Sequence, residues 1–189
     1  MIFDMCDIVI QQMKLNDVSR AFPSALATSQ MVVRALIVLN MVVGSLIFAL
    51  FIASVVAPDQ VFAALGADVA NVRLIRGGRL IMVIGIGSAP LTHLLLTRLL
   101  AIVETVRLGD PFVAVNAARL QTTAWALLGL ELLHLAVGAI AAAASSESQP
   151  LDIDWNLSIT GWLAVLLLFV LARVFAHGTR MRDDLEGTV

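Results

Sequence analysis

Apolar positions along the chain gather into four long runs separated by short polar stretches. The runs extend from about Ala35 to Val56, Leu80 to Leu100, Leu120 to Ala144 and Leu157 to Phe175. Each approaches the ~20 residues that a helix needs to cross the hydrocarbon of a bilayer. Between them fall "VAPDQ", "LGDPF" and "SSESQPLDIDW", whose prolines and acidic residues suit turns at a membrane surface. The pattern predicts one integral membrane domain over residues 1–189, an all-α four-helix transmembrane bundle with no internal repeat.

Two segments exceed what spanning requires. The second run keeps its helical pattern through "LLAIVETVRLG" and stops at Gly109, a common residue just past a helix end. Asp110 then offers an N-cap and Pro111 a first helical position. Spans two and three therefore form an extended cytoplasmic helical hairpin over 101–119, decorated by Glu104, Arg107, Asn116 and Arg119. At the other excess, residues 1–30, polar Asp4, Asp7, Gln11 and Lys14 alternate at helical spacing with apolar Ile2, Met5, Val9 and Met13. This is the signature of an amphipathic helix. Its first two turns are acidic, whereas a helix that binds anionic lipid is basic. Two uses stay open: packing along the bundle, or docking a cytosolic protein. Residues 176–189 form a polar tail.

Composition fixes the solvent of these runs. Hydrophobic residues make up 60% of the 189 and charged residues 14%, with a mean hydropathy of +0.95. Soluble domains are about half apolar and a quarter charged, so the excess points to lipid as the surrounding medium. A net charge of −2 leaves no footprint for direct binding of nucleic acid. The single cysteine, Cys6, excludes an intrachain disulfide. The start of the chain lacks a cleavable signal pattern, so the first span is expected to direct insertion. Nine of the twelve Lys and Arg residues fall on one side if both termini are cytoplasmic, and Arg73, Arg76 and Arg79 on the other. The positive-inside rule therefore places both termini in the cytoplasm. The three external arginines recur every three residues and are expected to pair with Glu147, Asp152 and Asp154 of the last loop. Trp155 and Trp162 suit the outer interface and Trp125 the inner one.

Candidate chemistry lies within the apolar runs. "LGLELLHLAVG" sets Glu131 and His134 three residues apart, near one helix face. His93 and Thr92 sit in span two. At ~1.5 Å rise per residue, Glu131 and His93 fall within about one turn of each other in depth. Nearby Pro90 frees the Ile86 carbonyl, and Gly85 and Gly87 permit close helix approach. The expectation is an intramembrane polar cluster of Glu131, His134, His93 and Thr92. Its principal reading is a hydrogen-bonded clasp that fixes helix register; the alternative is a small proton-coupled transporter, or transporter subunit, using Glu131. A bis-histidine haem site fails because His93 and His134 lie on opposite sides of the midplane. A di-iron site would need two Glu-x-x-His motifs and two further glutamates, and only "ELLH" is present. With no Ser–His–Asp order or nucleotide loop, no enzyme, cofactor or metal is expected.

Two stretches carry a resemblance. "GDPFVAVNAARLQTTAWALLGLELL" and "LSITGWLAVLLLFVLARVFAHGTRMRDDLEGTV" resemble the bacterial family known as domain of unknown function 2975. The matching positions are Gly109, Pro111, Phe112, Asn116, Arg119, Leu120, Thr160, Gly161, Phe175, Gly178, Arg182, Asp184, Leu185 and Glu186. The resemblance implies a small four-span protein of the bacterial inner membrane, often encoded beside a helix-turn-helix repressor. It thereby implies a cytosolic helix-turn-helix transcriptional regulator as partner, bound and sequestered or signalled to at the membrane. The docking surface expected on this chain comprises Asp4, Met5, Asp7, Val9 and Met13 of the N-terminal helix and Glu104, Arg107, Asn116 and Arg119 of the hairpin. Arg182, Asp183, Asp184 and Glu186 of the tail complete it. Membrane lipid surrounds the spans, and a homo-oligomer is compatible with the pattern.

Overall fold

The computed structural model describes the backbone of residues 2–66, 71–108, 113–145 and 158–186, with side chains from 27 onward in the first helix and up to 181 in the last. The helices are α1 (Ile2–Val56), α2 (Pro58–Ala64), α3 (Val72–Arg107), α4 (Ala114–Ala144) and α5 (Ile159–Glu186). No strand occurs among the described residues. Four stretches are long and apolar enough to span: Ala27–Val56, Val72–Arg107, Ala114–Ala144 and Ile159–Met181, with hydropathies of 2.7, 1.8, 1.9 and 2.3. The chain is a multi-pass membrane protein. The large outward residues, such as Leu39, Leu46, Leu163 and Leu167, are exposed because lipid, rather than protein, solvates them.

Several boundaries differ from the sequence-based expectation. The N-terminal segment is not a separate amphipathic element: its backbone continues into the first span as the single helix α1. Span two begins at Val72, about eight residues before Leu80, because Asn71 accepts a bond from the Leu74 amide and starts the helix there (3.2 Å). Helix α4 starts at Ala114 behind extended Val113, not at Pro111 behind Asp110; Gly109–Phe112 lie outside the described residues. The tail is helical to Glu186. In the connection between the first two spans Pro58 and Asp59 open the unexpected helix α2, whose Phe62 is 3% exposed. It ends at Ala64, and Gly66 just beyond takes a φ of +74°, which glycine adopts at no steric cost.

Packing runs in one row. Helix α3 lies between α1 and α4, and α4 between α3 and α5. Among the described residues α1 and α5 share no interface comparable to these three. Small residues set the closest approaches. A Cβ built on Gly44 would lie 3.1 Å from the Ala89 Cβ, one on Gly129 3.2 Å from a Leu91 methyl, and one on Gly77 2.5 Å from the Ala144 Cβ. Gly78 in turn accepts the Phe62 ring, 3.1 Å from such a carbon. "RGGR" is thus a double packing notch, one glycine admitting α4 and the next admitting α2.

Candidate functional site

The hairpin end of α3 and α4 carries the densest polar network described. Asn116 is 0% exposed, and its amide donates to Thr105 Oγ1 at 2.7 Å. Arg119 Nη1 donates to Asn116 Oδ1 and to the Ala101 carbonyl, each at 3.0 Å. The Thr105 hydroxyl itself donates to the Ile102 carbonyl at 2.7 Å. Arg107 reaches across to α1 and donates to Gln30 Oε1 at 3.1 Å. Three helices are therefore tied together where they extend past the most apolar part of the spans. A buried amide satisfied on both its donor and acceptor sides, as Asn116 is, fixes one register, since any slip leaves it unpaired.

This network revises the expected docking set. Asn116 is enclosed and Arg119 is turned inward, so both brace the hairpin instead of facing a partner. Glu104 and Arg107 remain exposed, and around them stand exposed Val106, Val115 and Leu108, the last at 76%. Asp4, Met5, Asp7, Val9 and Met13 lie on the backbone of α1 and Arg182, Asp183, Asp184 and Glu186 on that of α5; their side chains are outside the described residues. Sequence reasoning missed Gln30 and Thr105. Gln30 gave a faint signal as an amide at the edge of the first apolar run; Thr105 gave none.

The intramembrane residues do not form one cluster. The Glu131 carboxyl packs against Gly161 of α5, its carboxyl carbon 2.5 Å from where a Cβ on that glycine would sit. It has no hydrogen-bond partner among the described residues. His93 lines a groove between α1 and α3, whereas His134 is exposed at the edge of another groove formed by α1, α3 and α4. Thr92 closes on its own helix, donating to the Ser88 carbonyl at 3.0 Å. Residues three apart on a helix point about 60° apart, and here one faces a neighbouring helix and the other the margin of a groove. Of the two glycines beside Pro90, Gly85 approaches Ile47 of α1, while Gly87 faces open space.

Other polar residues settle locally. Arg79 donates to the Ser54 carbonyl near the end of α1, where helix carbonyls attract a cation. Arg73 and Arg76 are exposed, and the acidic residues expected to meet them lie outside the described residues. Trp125 meets Phe169 edge to face at 5.1 Å, joining α4 to α5. Trp162 is half-buried, and Trp155 lies outside the described residues. No group of three or more His, Cys, Asp or Glu side chains suited to a metal occurs among the described residues.

Three of the positions that carry the resemblance now have structural work. Asn116 and Arg119 pin the hairpin, and Gly161 gives the Glu131 carboxyl its place against α5. No curated protein and no solved structure matches the chain. The family model for protein of unknown function DUF2975 matches residues 59–189, which run from within α2 through α5 and include every one of these positions, and the chain belongs to that family.

Proposed function

We propose that the chain anchors a cytosolic helix-turn-helix transcriptional regulator at the bacterial inner membrane and holds it there or signals to it. The observation that carries this reading is the braced hairpin end. A 36-residue α3 extends ~54 Å at 1.5 Å per residue, well beyond a ~30 Å hydrocarbon core. The hairpin end of α3 and α4 is held by Asn116, Arg119 and Arg107 and presents Glu104, Val106, Leu108 and Val115. A surface fixed before binding loses little conformational entropy when a partner docks. The regulator as occupant comes from the resemblance. The acidic start of α1 suits the basic surface of a DNA-binding domain, with Met5, Val9 and Met13 as apolar anchors.

Affinity purification of the tagged full chain from native membranes tests it. A DNA-binding protein should co-purify and should be lost from Leu108→Asp or from a form lacking residues 1–16, with insertion and melting unchanged. Retention of the same proteins by both altered forms, or no DNA-binding protein in any preparation, would defeat the reading.

One observation favours a second reading, proton-coupled transport: the Glu131 carboxyl, pressed against Gly161, has no hydrogen-bond partner among the described residues. Glu131→Gln, which keeps the shape and removes the titrating group, should leave an anchor's activity intact. Loss of activity at an unchanged melting temperature would put transport first.

A further inference from the structure

The groove between α1 and α3 has the features of a ligand site, and it stands apart from the hairpin surface. It encloses about 450 Å³, within the range of small-molecule sites. Its floor is the close contact of Gly44 with Ala89, pinned by Asn40, whose amide donates to the Ala89 carbonyl at 3.0 Å. Asn40 and His93 lie at the end nearer the start of α1, and Phe48 and Ile86 at the other. The site thus has a polar end and an apolar end, and it opens sideways between two helices that lipid surrounds.

Hydrogen-bonding capacity at the polar end is left unspent. His93 Nδ1 is buried and has no partner among the described residues. The Ser45 hydroxyl is exposed in the lining. Pro90, also in the lining, has no amide hydrogen to offer the Ile86 carbonyl. Inside a membrane each unmet polar group costs free energy, because lipid chains cannot satisfy it. No Asp, Glu, Lys or Arg lines the groove, so nothing there calls for a charged head group.

We propose that this groove binds a neutral, single-chain amphiphile with a hydroxyl head group, taken from the membrane. The hydroxyl both donates and accepts, so it suits a ring nitrogen in either role and can also meet Ser45. Its chain follows Phe48 and Ile86 and leaves by the open side. A carboxylate or phosphate head would enter without a lysine or arginine to meet it and is disfavoured.

The test uses the purified full chain in lipid nanodiscs and a photoactivatable dodecanol carrying a diazirine on its chain. Mass spectrometry should place the label on peptides containing Met41–Phe48 and Ile86–His93. Excess dodecanol should compete with it and excess dodecanoate should not. Losing one hydrogen bond of ordinary strength reduces binding about five-fold, so His93→Leu should weaken the competed labelling by about that factor and His93→Gln should restore most of it. Ile86→Trp fills the apolar end without touching His93 and should abolish it, giving a second route if His93→Leu fails to fold. Labelling of the outer face of α5 at Leu166 and Leu167 reports surrounding lipid and should not change. Labelling that follows exposure alone, resists competition, or persists in Ile86→Trp overturns the proposal. Equal competition by dodecanoate overturns the neutral head group.

Discussion

Adding one carbon at Gly77 should push α3 and α4 apart. A Cβ there would stand 2.5 Å from the Ala144 Cβ, with the Ala144 Cα at 3.9 Å. Neither carbon can rotate away, since both are fixed to helix backbone, so relief requires the helices to separate by on the order of 1 Å. Overpacking of this kind costs about 1–3 kcal/mol. Alanine also favours a helix over glycine by about 1 kcal/mol, so the net loss expected for Gly77→Ala is about 0–2 kcal/mol. Ala144→Gly removes the opposing carbon and loses roughly the propensity that Gly77→Ala gains. In the double variant the propensity changes cancel and the clash is gone, so its stability should return close to that of the natural chain. The coupling energy isolates the clash at about 1–3 kcal/mol. Reversible unfolding of the four proteins in one detergent measures it. A coupling energy within error of zero would show that α3 and α4 do not meet at these two positions.

Two further outcomes can be measured, one from the hairpin network and one from the Lys and Arg bias of the sequence. Asn116→Leu removes the donor to Thr105 and one of the two acceptors of Arg119, and should destabilise the chain by about 1–3 kcal/mol, read as a lower melting temperature and faster proteolysis of the hairpin; unchanged proteolysis would deny the network its bracing role. With both termini cytoplasmic, single cysteines introduced at Ser146 and Val189 in a Cys6→Ser background should react with an impermeant thiol reagent on intact spheroplasts at 146 and not at 189, and the reverse pattern would invert the orientation.

The four spans were legible because lipid imposes a length and a hydropathy that a run of sequence states directly. Their ends were less so. Arg73, Arg76 and Arg79 masked eight further residues of α3, since charges read as loop can sit on a helix that has left the hydrocarbon. Helix α2 is too short for its periodicity to speak, and its anchor Phe62 has meaning only beside Gly78. The polar cluster failed for a geometrical reason. Spacing along one helix places Glu131 and His134 on neighbouring faces, and depth aligns Glu131 with His93, but neither reveals which helix stands opposite each residue. The same limit hid the burial of Asn116, which as an isolated polar residue at a helix start reads as surface.

The single-file arrangement of the spans bears on how the chain is made. Each large interface joins a span to the one synthesised immediately before it: α3 to α1, α4 to α3, α5 to α4. Every span after the first finds a partner helix already made, so assembly can keep pace with translation, and each intermediate from α3 onward carries a completed seam. Contacts close in sequence in this way avoid the delay of long loop closure. The first span leads this order, and its most apolar window has no buried residue; it can rest in lipid alone until α3 arrives.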